Sequence, residues 1–263
     1  MAENKSPRTL KPIHLCFDRV LTGPQKVRWA ALSKKENRTN TPAPPKRLMG
    51  MSIHPAKMAL LTGKKWKNGR TLKIAFVDGS ATQKRRVREH AEHWRAYESV
   101  KFNWTATRAE SDIRISFQAD DGSWSYIGTE NLAIPKNEPT MNFGWLKDDT
   151  DDKEYERVVV HEFGHALGCI HEHQNPRGGI RWNEAKVYAY FAGPPNNWSK
   201  QDTYSNVIEK YSLNQLNASV FDPASIMLYS FPGELIVGGK GTKENTTLST
   251  GDKRFIAKMY PKS

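Results

Sequence analysis

The stretch that decides the fold of this chain is His161-Glu162-Phe163-Gly164-His165-Ala166-Leu167-Gly168-Cys169-Ile170-His171. Its form is H-E-x-x-H-x-x-G-x-x-H. Residues four apart share one face of a helix, so His161 and His165 can hold the same metal ion. Gly168 can adopt the positive φ that ends a helix, which lets the chain turn and bring in His171 as a third ligand. The pattern therefore predicts a helix that ends in a metal site.

The residue types in this stretch also predict which metal is bound and what it does. Imidazole nitrogens are ordinary ligands of zinc, and three protein ligands leave a fourth position open to water, as in catalytic zinc sites. Glu162 stands next to the first ligand, where it can take a proton from a zinc-activated water as a general base. We expect one catalytic Zn²⁺ ion and hydrolytic chemistry.

Composition excludes several other classes of protein. The chain has 263 residues, of which 37% are hydrophobic and 26% charged, as is typical of a soluble globular protein. No run approaches the roughly 18–20 apolar residues that span a bilayer, so no membrane partner is expected. The polar residues 1–8 lead into no apolar segment, which predicts a cytoplasmic location or leaderless secretion. Two cysteines, Cys16 and Cys169, exclude a disulfide scaffold, and Cys169 is expected to be a core residue.

The charge balance suggests an alternative function. Lys and Arg number 40 against 28 acidic residues, a formal net charge of +12. Such a field can attract nucleic acid, so the alternative is a nucleic-acid-associated protein or a peptidase that acts on DNA-bound proteins. However, the basic residues are dispersed and no nucleic-acid-binding signature occurs, so nucleic acid is not the expected partner. A catalytically inactive binding module is a third alternative, but it would require a broken site, and Glu162 and the three histidines are intact.

The chain divides into an extension and a regular region. Residues 1–62 are predicted to form an N-terminal extension, either a pro-segment or a packing arm. Within it, residues 34–40 and 42–45 indicate loop or linker, and only residues 13–21 and 58–61 are apolar enough to pack.

Alternation and capping patterns predict the elements of the regular region. Strands are predicted at 71–76, 102–106, 113–117 and 141–145, with a loop at 120–128. Helices are predicted from the capping box at Ser80, after the acidic turn 148–154, near 183–192 and 199–211, and from Ser249. This order predicts a mixed α/β lobe in which the helix with the zinc histidines forms the floor of a cleft.

A second motif follows further along the chain, Asp222-Pro-Ala-Ser225-Ile226-Met227-Leu228-Tyr229-Ser230. Its core, Ser-Ile-Met-Leu-Tyr, resembles the Met-turn of the metzincin peptidases. The resemblance implies that Met227 forms an apolar floor beneath the zinc. It also implies that Tyr229 is a removable additional zinc ligand that later hydrogen-bonds the tetrahedral intermediate. A purely structural tyrosine is the alternative.

Glu172, directly after the third histidine, narrows the resemblance to the astacin family. The cysteine framework of animal astacins is missing, so the chain is most similar to microbial-type, astacin-like metzincins over residues 63–263. The resemblance implies an α+β fold. The N-terminal lobe (63–171) would hold a twisted mixed sheet and two long helices, and the irregular C-terminal lobe (172–263) would be mostly helical. The zinc cleft would lie between the lobes.

The implied activity is that of a zinc endopeptidase, favoured as a monomer, that hydrolyses proteins or peptides. Glu162 would be the general base, and the zinc and Tyr229 would stabilise the oxyanion. Residues 141–145 are expected to form the cleft-edge strand that binds an extended peptide, and residues 231–235 to help wall the S1′ pocket.

Cys16 supports a separate hypothesis of latency. In matrixins a Cys, and in astacins an Asp, from an N-terminal segment occupies the open zinc position and keeps the zymogen inactive. The flanking residues, His14-Leu-Cys16-Phe-Asp18, match neither switch, which favours the alternative of a buried packing residue.

Overall fold

The computed structural model describes residues 15–17, 19–40, 63–194, 196–210 and 220–262. The predictions for residues 13–14, 18, 42–45, 58–61 and 211 lie outside these ranges. In chain order, the helices are α1 Gly23–Glu36, α2 Ala81–Ala91, α3 Asp152–Ala166, α4 Glu184–Phe191, α5 Lys200–Thr203 and α6 Thr250–Met259. The strands are β1 Thr71–Phe76, β2 Lys101–Asn103, β3 Ile113–Ser116, β4 Ser123–Ser125 and β5 Met141–Phe143.

The strands form one mixed sheet in the order β2-β1-β3-β5-β4, and the predicted α+β fold is confirmed. Strands β2, β1, β3 and β5 run parallel, whereas β4 is antiparallel to β5. The two long helices α2 and α3 contact each other, and α3 also contacts β4 and β5. The sheet and both helices therefore share one apolar core, in which Leu72, Ile74, Ile113 and Ile115 are fully buried.

Two predictions about this sheet are wrong. The predicted loop at 120–128 contains β4, which pairs with β5 through Trp124 opposite Asn142. Because β4 lies at the end of the sheet, β5 is an interior strand and not the cleft edge that was expected of residues 141–145. Strand β4 has only three residues, all of them buried, so it shows no alternation of polar and apolar side chains.

The described region after the metal motif is largely irregular, and its regular elements are mainly short helices. A second apolar cluster joins α4 to the chain after the Met-turn and includes Val187, Phe191, Val207, Phe231 and Leu235. The helix predicted at 199–211 is shorter than expected. Helix α5 covers Lys200–Thr203, and a π-helical segment over Tyr204–Ile208 follows it directly.

The N-terminal extension contains a helix where a loop or linker was predicted. Helix α1 runs through residues 34–36, and Thr22 and Gln25 form a capping box at its start. It packs on the segment Gly128–Ala133, where the Trp29 indole donates a hydrogen bond of 3.1 Å to Thr129. The boundaries assigned to the extension and to the two lobes remain predictions. In the described part of the chain, every helix is too short or too polar to span a bilayer.

Candidate active site

The three histidines of the metal motif converge at the end of α3. Helix α3 ends at Ala166, and Gly168 follows with φ +104°, a conformation that suits glycine and turns the chain toward His171. The Nε2 atom of His165 lies 3.1 Å from Nε2 of His161 and 2.9 Å from Nε2 of His171. All three rings are buried.

The hydrogen bonds of these rings leave nitrogen lone pairs facing one another. His161 Nδ1 donates to Ile226 O at 2.8 Å, and His165 Nδ1 donates to Cys169 O at 2.9 Å. Each Nε2 then carries a lone pair rather than a proton. Two facing lone pairs repel each other unless a cation lies between them, so this arrangement fits a metal site.

The spacing also fits zinc. Tetrahedral zinc with nitrogen ligands at about 2.0–2.1 Å separates those nitrogens by roughly 3.4 Å, a few tenths more than the spacing seen here. Burial lowers the pKa of His161 well below its ordinary value, and the neighbouring His165 and His171 lower it further. A neutral imidazole is the form that binds zinc, so His161 is suited to the role at neutral pH.

Cys16 lies inside this group of ligands. Its Sγ atom and the ligand nitrogens of His161, His165 and His171 all lie within 4.8 Å of one another. Cys16 Sγ also contacts Glu162 Oε2 at 3.3 Å. The interpretation of Cys16 as only a packing residue does not account for these contacts, because thiolate sulfur is itself a zinc ligand.

Glu162 and Tyr229 both contact Cys16. Glu162 is only 1% exposed, and its Oε2 accepts from Cys16 Sγ. The Tyr229 hydroxyl donates to the carbonyl oxygen of Cys16 at 2.7 Å and is also in hydrogen-bond contact with His171 Nε2. A carboxylate and a hydroxyl therefore lie beside the three histidines.

Met227 packs against α3 at Gly164, and its expected role as a floor beneath the zinc stays a prediction. A Cβ atom at position 164 would lie 2.4 Å from Met227 Sδ, so Gly164 allows the thioether to approach the backbone of α3. Gly164 sits between His161 and His165 at a position that the motif leaves free, and sequence reasoning gave it no role.

Glu172 ties the loop of the third histidine to the Met-turn. Its backbone N–H donates to Met227 O at 2.9 Å, and its carboxylate accepts from Asp222 N at 2.8 Å and from Asn175 Nδ2 at 3.0 Å. Burial raises the pKa of Glu172 to about 7, against the lowering effect of these two hydrogen bonds. The residue thus has a structural use that the sequence resemblance alone did not describe.

The carbonyl oxygens that orient His161 and His165 were also missed at the sequence level. They belong to Ile226 and Cys169, and a backbone carbonyl is present at every residue, so no residue type marks it. Only the folded arrangement identifies these two as the partners of the zinc-facing rings.

Comparison with known proteins gives consistent matches. Residues 60–259 match the model of the peptidase family described as Astacin. A structure of myroilysin is 44% identical, with 76% of this chain and 97% of that chain covered and a TM-score of 0.74. A crystal structure of myroilysin is 40% identical, with 86% and 96% covered and a TM-score of 0.61. High choriolytic enzyme 1, a hatching enzyme zinc-protease from Oryzias latipes (Medaka fish), is 17% identical, with 80% and 97% covered and a TM-score of 0.49. Curated protein sequences gave no match.

The family match spans most of the chain and includes both the zinc motif and the Met-turn. The predicted resemblance to astacin-like metzincins, the enzyme class and the zinc cofactor are confirmed by these matches. The chain belongs to the astacin family of peptidases and is a zinc-dependent peptidase whose substrates are proteins or peptides.

Proposed function

We propose that this chain is an endopeptidase in which His161, His165 and His171 hold the catalytic zinc. Glu162 acts as the general base and Tyr229 as the donor that stabilises the oxyanion. The observation that carries the proposal is that the Glu162 carboxylate and the Tyr229 hydroxyl both reach Cys16, whose Sγ lies among the three histidines.

The roles follow from the chemistry of each side chain. Bound zinc supplies a Lewis acid that lowers the pKa of water to about 7 and polarises the scissile carbonyl. Glu162, held in a buried pocket, accepts the proton of the attacking water and passes it to the leaving amine. The Tyr229 hydroxyl donates a hydrogen bond to the carbonyl oxygen as negative charge develops on it.

Replacement of Glu162 tests the assignment of the base. Glu162→Ala, made in a Cys16→Ala background so that the thiol does not mask the site, should retain one zinc ion per chain. Turnover of a peptide substrate should fall by a factor on the order of 10²–10⁴, the usual contribution of a general base. Glu156→Ala on the same helix is the matched control and should keep the activity of the background. Retained turnover in Glu162→Ala would overturn the assignment.

We further propose that the folded chain is latent because Cys16 blocks its active site. The Cys16 thiol lies where the attacking water would bind, its Sγ donates to Glu162 Oε2 at 3.3 Å, and its carbonyl oxygen accepts from the Tyr229 hydroxyl at 2.7 Å. One residue therefore engages the ligands, the base and the oxyanion donor at once. A substrate carbonyl cannot reach Tyr229 while the carbonyl of Cys16 is in place.

The residues on either side of Cys16 are anchored to different parts of the fold. Leu15 packs in the second apolar cluster with Phe231 and Leu235, the residues predicted to help wall the S1′ pocket. Arg19 forms an ion pair with Asp121 and lies 4.3 Å from the ring centroid of Trp124. These contacts support the proposal that Cys16 is held in the site.

Replacement of the thiol tests latency. Cys16→Ala leaves α1 and its contacts intact, whereas deletion of residues 1–60 would expose the surface that Trp29 covers. We expect turnover at equal zinc content to rise by an order of magnitude or more, because the competing ligand is lost. In the cobalt-substituted protein, the charge-transfer band of a thiolate ligand should disappear. Cys169→Ala, the matched control, should keep both latency and the band. Equal activity per zinc in Cys16→Ala and the parent would remove the latency proposal.

The alternative of a nucleic-acid-associated protein, drawn from the +12 charge, remains a prediction. Steeply salt-dependent binding to duplex DNA would support it. Monomeric state and location also remain predictions.

A further inference from the structure

A chain of three hydrogen bonds joins helix α6 to the zinc-facing ring of His161. Ser225 Oγ donates to Asp252 Oδ1 at 2.6 Å, and Met227 N–H donates to Ser225 Oγ at 3.1 Å. Met227 N–H and Ile226 C=O belong to the same peptide group, and Ile226 O accepts from His161 Nδ1 at 2.8 Å. The side chains of Asp252, Ser225 and His161 are all buried.

Asp252 is fixed independently of the Met-turn. Its Oδ2 atom accepts from Ser249 N at 2.9 Å as part of the capping box that starts α6. The same oxygen accepts from Ile226 N at 2.8 Å. Capping requires only the bond to Ser249, so the bonds to Ser225 and Ile226 are an additional use of this carboxylate.

Each hydrogen bond in this series strengthens the next one toward His161. A carboxylate that accepts the Ser225 proton makes Oγ a stronger acceptor for Met227 N–H, and this bond in turn polarises the 226–227 peptide. A more negative Ile226 carbonyl holds the Nδ1 proton of His161 more firmly. That fixes the tautomer with Nε2 turned toward the metal and makes Nε2 a better donor of electrons.

The Nδ1 proton of His165 goes to Cys169 O, a carbonyl of the loop that follows its own helix. The Nδ1 proton of His161 goes instead to Ile226 O, a carbonyl of the Met-turn, which Asp252 of α6 also contacts.

We propose that Asp252 is a positioning residue for the zinc site, which acts through Ser225 and the 226–227 peptide to orient His161 and tighten zinc binding. This inference rests on the proposed assignment of His161 as a ligand. It links the last helix of the fold to the affinity of a metal held by α3.

Zinc affinity of the refilled apoprotein tests the inference. In the Cys16→Ala background, only the histidines contribute to zinc binding. The zinc affinity of each variant is measured by competition with a chromogenic chelator. Ser225→Ala should weaken zinc binding by about 10–100-fold, the usual cost of losing an outer partner of a ligand. Ser225→Thr, which restores the hydroxyl, should return affinity to the background value. Asp252→Asn should weaken zinc binding, because the neutral amide polarises the hydrogen bonds between Asp252 and His161 less.

Control variants separate this role from a structural one. Ser80→Ala removes a hydroxyl from the capping box of α2 and should lower the thermal stability of the apoprotein without changing zinc affinity. If Ser225→Ala lowers apoprotein stability but keeps the background zinc affinity, the positioning role is wrong. His161→Ala separates the assignment of His161 as a zinc ligand from the positioning role of Asp252. If that variant keeps its zinc affinity, the ligand assignment itself is wrong. If it loses zinc while Ser225→Ala does not, only the positioning inference fails.

Discussion

Tyr229 occupies a decisive place because its hydroxyl meets both His171, a proposed metal ligand, and Cys16, the proposed blocking residue. It donates to Cys16 O at 2.7 Å and contacts His171 Nε2, and its ring lies 4.6 Å from the ring of His171. The role of Tyr229 as an additional zinc ligand stays a prediction. The contact with Cys16 resembles the hydrogen bond that an oxyanion would receive.

Tyr229→Phe distinguishes the catalytic from the structural interpretation. In the Cys16→Ala background we expect kcat to fall by about 10²-fold, within the range for loss of one oxyanion donor, with little change in KM. Steady-state kinetics on a peptide substrate measures both constants. Tyr155→Phe, which removes a hydroxyl from another buried tyrosine, is the control and should leave kcat unchanged. An unchanged kcat in Tyr229→Phe would favour the structural alternative.

At the scale of single residues, the candidate site could be predicted where spacing along the chain carries the geometry. His161, Glu162 and His165 share one helix, and Gly168 brings His171 within a short turn of it. Cys16 stands 146 positions from Glu162, so its place in the site depends on tertiary contacts. The flanking sequence does not display those contacts, and it therefore pointed to a packing residue instead.

At the scale of elements, the prediction failed where hydrophobic periodicity was absent. Helix α1 carries the capping residues Thr22 and Gln25 and has Pro24 in its first turn, all ordinary signals of a helix start. Its buried face, however, consists of Trp29 and Ser33, which form no apolar stripe. The charged residues Lys34 to Glu36 therefore favoured a linker. Local capping was the better guide here, because the helix docks through an indole and a hydroxyl rather than through aliphatic side chains.

The sheet illustrates the same limit. Strands β1 and β3 were predicted because their apolar residues recur at period two. Strand β4 has three residues and is buried by its partners, so its position at the edge follows from pairing with β5. Pairing is a long-range property, which a single sequence does not display. The edge available to a substrate was consequently assigned to the wrong strand.

At the scale of the whole molecule, hydrogen bonds tie the C-terminal end of α6 to the segment that follows α2. Ser99 N donates to Tyr260 O at 3.1 Å, and Lys262 Nζ donates to Ala96 O at 2.9 Å, so the segment after α2 is joined to the end of α6. Glu98 lies inside this junction, only 2% exposed, and accepts from Val100 N. Burial raises the pKa of Glu98 to about 7, although Arg95 and Lys262 lower it.

The raised pKa makes the stability of the fold depend on pH. In the unfolded chain Glu98 titrates near 4.5, whereas the folded protein retains the proton until about pH 7. Between these values the folded state binds more protons than the unfolded state, so the free energy of unfolding falls as pH rises. The contribution of this group is fully present below the unfolded pKa and is lost above the folded pKa.

Glu98→Gln should therefore remove part of the pH dependence. Glutamine keeps an acceptor for Val100 N and carries no charge, so the variant should gain stability over the parent as pH rises from 5.5 to 8. We expect a gain on the order of 1–2 kcal/mol, less than the full desolvation effect because the junction is near the surface. Urea unfolding of the zinc-loaded proteins at several pH values measures it. Glu89→Gln, which removes a carboxylate at an exposed position on α2, is the control for the effect of losing one negative charge. If Glu98→Gln and the parent lose stability in parallel over this range, Glu98 is ionised in the folded protein, and the junction holds a charge rather than a proton.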